Sequence, residues 1–526
     1  MATGDLMTST VSHDSYASPS HGVDFDDIQA LARFGHGHLL DSRFLLLTVN
    51  DRIEAGRWLK QLKVSAASKG QSPPDTALQI AFSPAGLTAL GLADEVLYQF
   101  SDEFVSGMHG DENRSRRLGD VDSSAPSQWR WGNHDTDPIH IVLLLYALEG
   151  KIENYAAQVQ DAAFKQAFIV AHTLPTDKLS QREPFGFIDG ISQPAIDWQQ
   201  NQRTDNHARS RYSNLLAPGE VVLGYPNEYG QLTRRPLIDP QRCSHAKALP
   251  QVIGSTQQYD LGLNGSYLVI RQLRQDVDGF WQFVRQQANG NNDHAEHLAA
   301  LMVGRQRDGE PLVPQTSNRI TGIDAADPLN QFDFDNDLPG LQCPVGAHIR
   351  RSNPRTGDFP PGTKGILSRL FRMLGFKRSS EYEDLVASSR FHRILRRGRT
   401  FGLTDAQSTE QGLHFICLTG NILRQFEFIQ SAWSISSAFA GTREQRDPIT
   451  GHRQSRLLGA CADRFMHADA QQLPEKIPGL PQFVTLVGGG YYFLPGLRAI
   501  QYLACVACDE DTAGLKDADE AMDRVS

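Results

Sequence analysis

In the stretch EPFGFIDGISQP (183–194) a single aspartate, Asp189, stands between Gly186 and Gly190 in apolar company. An isolated Asp-Gly pair is ordinarily a turn, so a chemical role for Asp189 needs partners. One candidate lies in CPVGAHIRRSNPR (343–355), where His348 follows a run of small residues and precedes Arg350 and Arg351. Small neighbours would let a flat ligand approach the imidazole. The two arginines could meet carboxylates on that ligand, which is the pattern of an axial haem histidine with propionates nearby. A second candidate lies in HRILRRGRTFG (392–402), where an arginine directly follows two apolar residues. An arginine held among apolar residues needs an anion or a dipole to face. Arg397 and Arg399 are expected to be more exposed, but the residues alone do not choose between Arg396 and Arg397. An acid, a cation and a metal-ligating imidazole together suit heterolysis of a peroxide O–O bond. A base takes a proton from the inner oxygen and returns it to the leaving one, and a cation steadies the developing charge.

These residues need a frame. The chain has 526 residues, 40% hydrophobic and 21% charged, enough to bury a large core and enclose a cofactor. RFLLLTVNDRIEAGRWLKQL (43–62) reads as an apolar strand, Asn50 or Asp51 as cap, then a helix. TALQIAFSPAGLTALGL (76–92) repeats this, with Ser83 as cap and Pro84 at the first helical position. IHIVLLLYAL (139–148) reads as a buried strand, KIENYAAQVQDAA (151–163) as a helix and AFIVAHTL (167–174) as a strand. The alternation predicts a ferredoxin-like unit. SYLVIRQLRQDVDGFWQFVRQQ (266–287) restarts the plan, with Trp281 placed much as Trp58 is, and the segments at 413–433 and 483–495 supply more strand and helix. The organisation expected is a disordered segment 1–22, a ferredoxin-like unit 23–205 carrying Asp189, a second unit 206–508, and an acidic tail 509–526.

The net charge is −10, and the tail holds seven acids against two bases, half of that total. From 350 to 399 thirteen Lys/Arg stand against four Asp/Glu. The plainest reading of that stretch is a solvated basic surface; a dianionic cofactor or nucleic acid are the anionic alternatives. The N-terminus has no basic start followed by an apolar core, no apolar run is long enough to span a bilayer, and six cysteines are no disulfide framework. The expectation is a soluble cytoplasmic protein. His294 and His297 near Asp293 read as a helix start rather than a metal site.

GFIDGISQP resembles the G-x-x-D-G signature of the dye-decolourising peroxidases, and the blocks at 25–47, 219–230, 264–281, 343–355 and 483–496 resemble further family blocks in the right order. The likeness is greatest to the longer bacterial and fungal members. It implies an α+β fold of two ferredoxin-like units, the dimeric α+β barrel, with haem b held by the second. It implies Asp189 as distal acid, Arg396 as distal arginine and His348 as iron ligand, with Asp447 in QRDPITG (445–451) bonded to the far nitrogen of His348. Leu413 and Phe415 match apolar positions that crowd the peroxide site. Trp433 matches a position that carries electrons to the surface in some relatives. Gly186 and Gly190 would let backbone pass close to the ring, and Arg351 would meet the cofactor. The implied partners are hydrogen peroxide and small aromatic reductants such as dyes, phenols or lignin fragments, with a homo-oligomer open and neither nucleic acid nor membrane among them. The gap between His348 and Arg396 is longer than in short members, and residues 366–389 fill it as an expected flap or helix over the haem edge. The rival readings are iron release from haem, haem carriage, and nucleic-acid binding through 350–399.

Overall fold

The computed structural model describes residues 22–70, 72–200, 214–241, 243–252, 257–315, 328–355, 389–403, 410–453, 463–467 and 475–509. All but the last residue of the N-terminal segment 1–22, nearly all of the 366–389 insertion and all but the first residue of the acidic tail lie outside them.

The first unit runs β1 (Asp41–Val49), α1 (Arg52–Gln61), β2 (Thr76–Phe82), β3 (Ile141–Ala147), α2 (Ile152–Val159), α3 (Ala162–Ala167) and β4 (Phe168–Pro175). Its boundaries follow local chemistry. Asp51 caps α1 by accepting from the Glu54 N–H, and Ser83 caps the short helix Pro84–Ala89 with proline at its first position. The single helix expected over 151–163 is two, because Gln160 leaves helical geometry and Asp161 caps a new start by accepting from the Phe164 N–H.

The second unit repeats the order: β5 (Ser266–Gln275), α4 (Val277–Gln287), α5 (Asn292–Val303), α6 (His348–Ser352), β6 (Leu395–Arg396), β7 (Arg399–Phe401), β8 (Gln411–Thr419), β9 (Val484–Leu494) and α7 (Leu497–Ala507). His294 and His297 lie in α5, which Asn291 caps, as the sequence suggests. All nine strands join one sheet in the order β6-β8-β5-β9-β2-β3-β1-β4, with β7 also on β8. Each half therefore has the same spatial order, second-third-first-fourth, which is the ferredoxin-like arrangement written twice. The halves meet where Phe493 of β9 faces Phe82 of β2. One core cluster packs helices against a face of the sheet, from Leu59 and Phe164 to Leu503. A second covers the other face through Phe44, Tyr146, Leu268 and Ile416. No helix among the described residues is long and apolar enough to cross a membrane.

Between β8 and β9 the chain winds as a π-helix over Leu423–Glu427 and Ile429–Ile435, with the Glu427 N–H donating to the Ile422 carbonyl. Such wide turns are rare and concentrate at functional sites; this one delivers Phe426, Ile429, Gln430 and Ser434 to the cavity described next.

Candidate active site

One cavity, giving about 270 Å³ of room to the centre of a water molecule, collects residues from the 183–194 loop, β5, α6, β6, β8 and the π-helix. Asp189, Arg396, His348, Leu413, Phe415 and Gly190 all line it.

The Asp189 loop is pinned to the second unit. The Glu183 carboxylate accepts from the Phe185 and Phe187 N–H groups at 3.0 and 2.9 Å and from Gln275 Nε2 at 2.9 Å. The Trp281 indole donates to the Phe185 carbonyl at 3.1 Å, and Phe185 and Phe187 pack with Phe280, Phe283 and Met302. Trp281 thus serves the site, whereas Trp58 packs on Phe164 and Phe168. Gly186 (φ 97°) lets the loop turn, and a Cβ there would lie 2.2 Å from Arg307 Nη2. Gly186 is a turn residue outside the cavity lining, not the ring-facing glycine expected. Gly190 (φ 84°) does face the cavity, and a Cβ there would meet nothing within 4 Å.

Asp189 Oδ1 accepts from Arg396 Nη1 at 2.8 Å. The Arg396 backbone N–H is held by Gln193 Oε1 at 3.0 Å. Burial would raise the Asp189 carboxyl, but the Arg396 guanidinium, the Gly190 N–H and the His348 ring together outweigh it and hold the pKa below the ordinary carboxylate range. Leu413 and Phe415 stand on the same face of β8 as Cys417, the partner of Arg396.

His348 opens α6. Its Nδ1 donates to Asp447 Oδ2 at 2.8 Å, and Asp447 Oδ1 accepts from the Ile449 and Thr450 N–H groups at 2.9 Å each. Burial works to raise the Asp447 carboxyl, yet the imidazole and these bonds bring it down to about 2. An ionised carboxylate only accepts, so Nδ1 carries the ring proton and Nε2 keeps its lone pair for the cavity. Burial works against a charged His348, and Asp447 more than offsets it, leaving a ring of raised basicity.

Several expectations fail on geometry. Arg351 is 0% exposed and absent from the cavity wall; it donates to the carbonyls of Trp433, Ser436 and Gln445 and to Thr442 Oγ1. Arg350 is equally buried, on Asp337 and the carbonyls of Asp337, Leu338 and Cys343. Both are internal clamps for loops that lack strand partners. The described part of the basic stretch is accordingly no solvated face, since Arg355, Arg393 and Arg399 are buried too. Arg397 and Arg399 are not the exposed pair expected either: Arg399 is 3% exposed and Arg397 half-buried. Trp433 is 6% exposed and packs edge-on against His392 and Phe428.

Sequence reasoning missed Glu183 and Gln193, which hold Asp189 and Arg396 in place. Both stand in the quoted 183–194 stretch, but only their partners reveal their work. It also missed Arg305 and Arg355 on the cavity wall, and the buried Asp120–Arg271 pair there.

A family profile described as the DyP dimeric alpha+beta barrel domain matches residues 44–177. The chain is 30% identical over 455 residues to Peroxidase 2 of Mycetinis scorodonius, covering 81% of this chain and 76% of that protein. It is 30% identical over 405 residues to the multifunctional dye peroxidase DyP2 of an Amycolatopsis species, covering 72% and 74%. Its fold matches the crystal structure of a fungal DyP-type peroxidase from Auricularia auricula-judae with TM-score 0.67 at 23% identity, over 92% of this chain and all of the other. A dye-decolorizing peroxidase solved with 2,6-dimethoxyphenol matches with TM-score 0.64 at 23% identity, over 92% of this chain and 100% of that one. With relatives this similar over most of its length, and with the doubled ferredoxin-like sheet they share, the chain belongs to the dye-decolorizing peroxidases, oxidoreductases that use hydrogen peroxide.

Proposed function

We propose that the cavity binds haem b, with His348 Nε2 as the iron ligand, and that Asp189 and Arg396 handle the protons and charge of hydrogen peroxide in the same cavity. The observation that carries this reading is the meeting of Asp189–Arg396 and of His348, backed by Asp447, at one cavity beside the apolar side chains of Leu413, Phe415 and Ile449. The donor set fits an iron porphyrin: one imidazole nitrogen with its proton locked on the far side, apolar walls at Ile188, Leu413, Phe415 and Ile449, and open space before Gly190. When bound, the haem would supply the redox chemistry.

The chain's own residues do the rest. Asp189, ionised beside Arg396, takes the proton of an entering peroxide on its carboxylate and returns it to the leaving oxygen. Arg396 keeps the carboxylate ionised and offers its remaining N–H groups to the anion that forms. Leu413 and Phe415 narrow the space over the pair and favour a small oxidant. Asp447 fixes the His348 tautomer. The electron donors are small aromatic compounds: dyes, and phenols such as the 2,6-dimethoxyphenol with which one relative was solved.

The test is an absorbance spectrum of the purified protein before and after one equivalent of hydrogen peroxide. A Soret band that shifts with peroxide and returns with 2,6-dimethoxyphenol is expected. A haem band indifferent to peroxide would favour haem carriage. Free iron with intact porphyrin would favour iron release. No band after adding hemin sinks the proposal.

A further inference from the structure

The π-helix that lines the cavity also carries a carboxylate behind the cavity wall. Glu427 is 3% exposed and follows Phe426, whose side chain lines the cavity. Its Oε1 accepts from the Tyr491 hydroxyl at 3.0 Å and stands 3.1 Å from Arg114 Nε. Its Oε2 stands 3.7 Å from Nη2 of Arg117, a side chain that reaches solvent. Tyr491 is a buried residue of β9, and its ring meets that of Phe426 edge-on with centroids 6.0 Å apart. Phe426 lies 6.2 Å from Phe415, a second ring of the cavity wall. One aromatic ring therefore separates the Tyr491 phenol from the cavity.

These surroundings suit the loss of an electron and a proton together. Burial and the Glu427 charge push the Tyr491 phenol well above its ordinary range, so it stays un-ionised. A neutral phenol gives up an electron far more easily when a base within hydrogen-bond reach takes its proton. Burial raises the Glu427 carboxyl as well, although Arg114 and the Tyr491 hydroxyl oppose it. It therefore holds a proton more readily than an exposed carboxylate does. Trp281 makes the contrast. Its ring stacks on Phe187 of the cavity wall, but its N–H donates to a backbone carbonyl, which is a poor base. The guanidiniums of Arg307 and Arg285 also lie over that ring at 4.7 and 6.0 Å, and positive charge opposes the loss of an electron.

We propose that Tyr491 is an internal electron donor to the cavity, with Glu427 as the acceptor of its proton. The proposal rests on haem and peroxide acting in the cavity as described above. Tyr491 gives one electron to the centre that peroxide has oxidised. Its O–H bond breaks, and the proton forms a new O–H bond on Glu427 Oε1. Tyr491 is left as a neutral phenoxyl radical, and the oxidised centre has gained one electron. An aromatic donor later returns the electron and loses its own proton to solvent, while Glu427 returns the proton to the phenol. Hydrogen peroxide takes two electrons, whereas phenols give them one at a time. The Tyr491–Glu427 pair holds one oxidising equivalent between the arrival of two donors.

The experiment is electron paramagnetic resonance of the haem-loaded protein, frozen after one equivalent of hydrogen peroxide with no donor present. The Soret band is recorded on the same samples. A radical signal that narrows when the protein is made with ring-deuterated tyrosine is expected. Tyr491→Phe should lose it, and this variant keeps the ring on Phe426 and leaves Glu427 its two arginines. Glu427→Gln keeps an acceptor for the phenol but no base, and should lose the signal too. The Soret shift with peroxide should survive in both. A parent protein with the Soret shift but no tyrosyl signal overturns this proposal alone, as does a signal unchanged by deuteration or by either variant. A Soret band indifferent to peroxide overturns the reading of the cavity and this proposal with it. If Glu427→Gln does not fold, Tyr491→Phe, which removes a single oxygen atom, decides.

Discussion

Replacing Asp447 by asparagine separates the two jobs of one buried carboxylate. Oδ1 accepts from the Ile449 and Thr450 amides and Oδ2 from His348 Nδ1, all within 2.8–2.9 Å, on a residue with 0% exposure. Asparagine can keep its oxygen on the two amides, which turns its NH2 toward His348. An NH2 group cannot accept a proton. The imidazole must then offer Nδ1 as acceptor and carry its proton on Nε2, the atom needed by the iron. Exchanging a charge-assisted bond for a neutral one costs about 1–2 kcal/mol of stability, so the fold survives. Loss of a second-sphere partner of this kind costs roughly 10–100-fold in metal affinity, or about 1.4–2.7 kcal/mol. Asp447→Ala behaves differently, because it strands two buried amides at roughly 1–3 kcal/mol each and lowers the thermal midpoint as well. Hemin titration into the apoprotein, followed at the Soret band, gives the affinity; thermal unfolding of the same samples gives the stability. A folded Asp447→Asn protein that binds hemin as tightly as the parent refutes the reasoning. So would haem loss in both variants that merely tracks lost stability.

Asp189→Asn should slow the peroxide step by roughly 10²–10⁴-fold, the usual worth of a positioned base, with the Soret band retained; stopped-flow mixing with peroxide checks it. Arg396 lowers the Asp189 pKa, so turnover should persist into acid and fall only as pH drops through that low value. In Arg396→Leu the carboxyl rises, and the acid limb of the pH–rate profile with a dye should move to higher pH; an unmoved limb means that another group is the base. Glu183→Ala leaves the Phe185 and Phe187 amides without their side-chain acceptor, at roughly 1–3 kcal/mol each, and frees the Asp189 loop. It should lower the thermal midpoint and the peroxide rate together while haem stays bound.

Most of the longer strands and helices were legible in the chain because their causes are local, though the break at Gln160 and the π-helix were not. Apolar runs of strand length and cap residues such as Asp51 and Ser83 sit within a few positions of what they fix. Asp189 and His348 could be singled out as candidates from the residues, but choosing Arg396 needed a family resemblance, because the residues by themselves left Arg396 and Arg397 equal. Tertiary structure separated them. The two-residue strand β6 pairs with β8, and the alternation of side chains sends Arg396 to the cavity and Arg397 and Arg399 to the other face. Neighbours in sequence thus acquire opposite surroundings, while Asp189 and Arg396, 207 positions apart, become a pair. Arg351 shows the same limit. Its sequence neighbours suggested a ligand carboxylate, but its partners are carbonyls 82 to 94 residues onward, brought near by the π-helix and the loop after it. Composition and periodicity decide which elements form. Which face a charge meets depends on strand register and loop packing, and those belong to the folded chain alone.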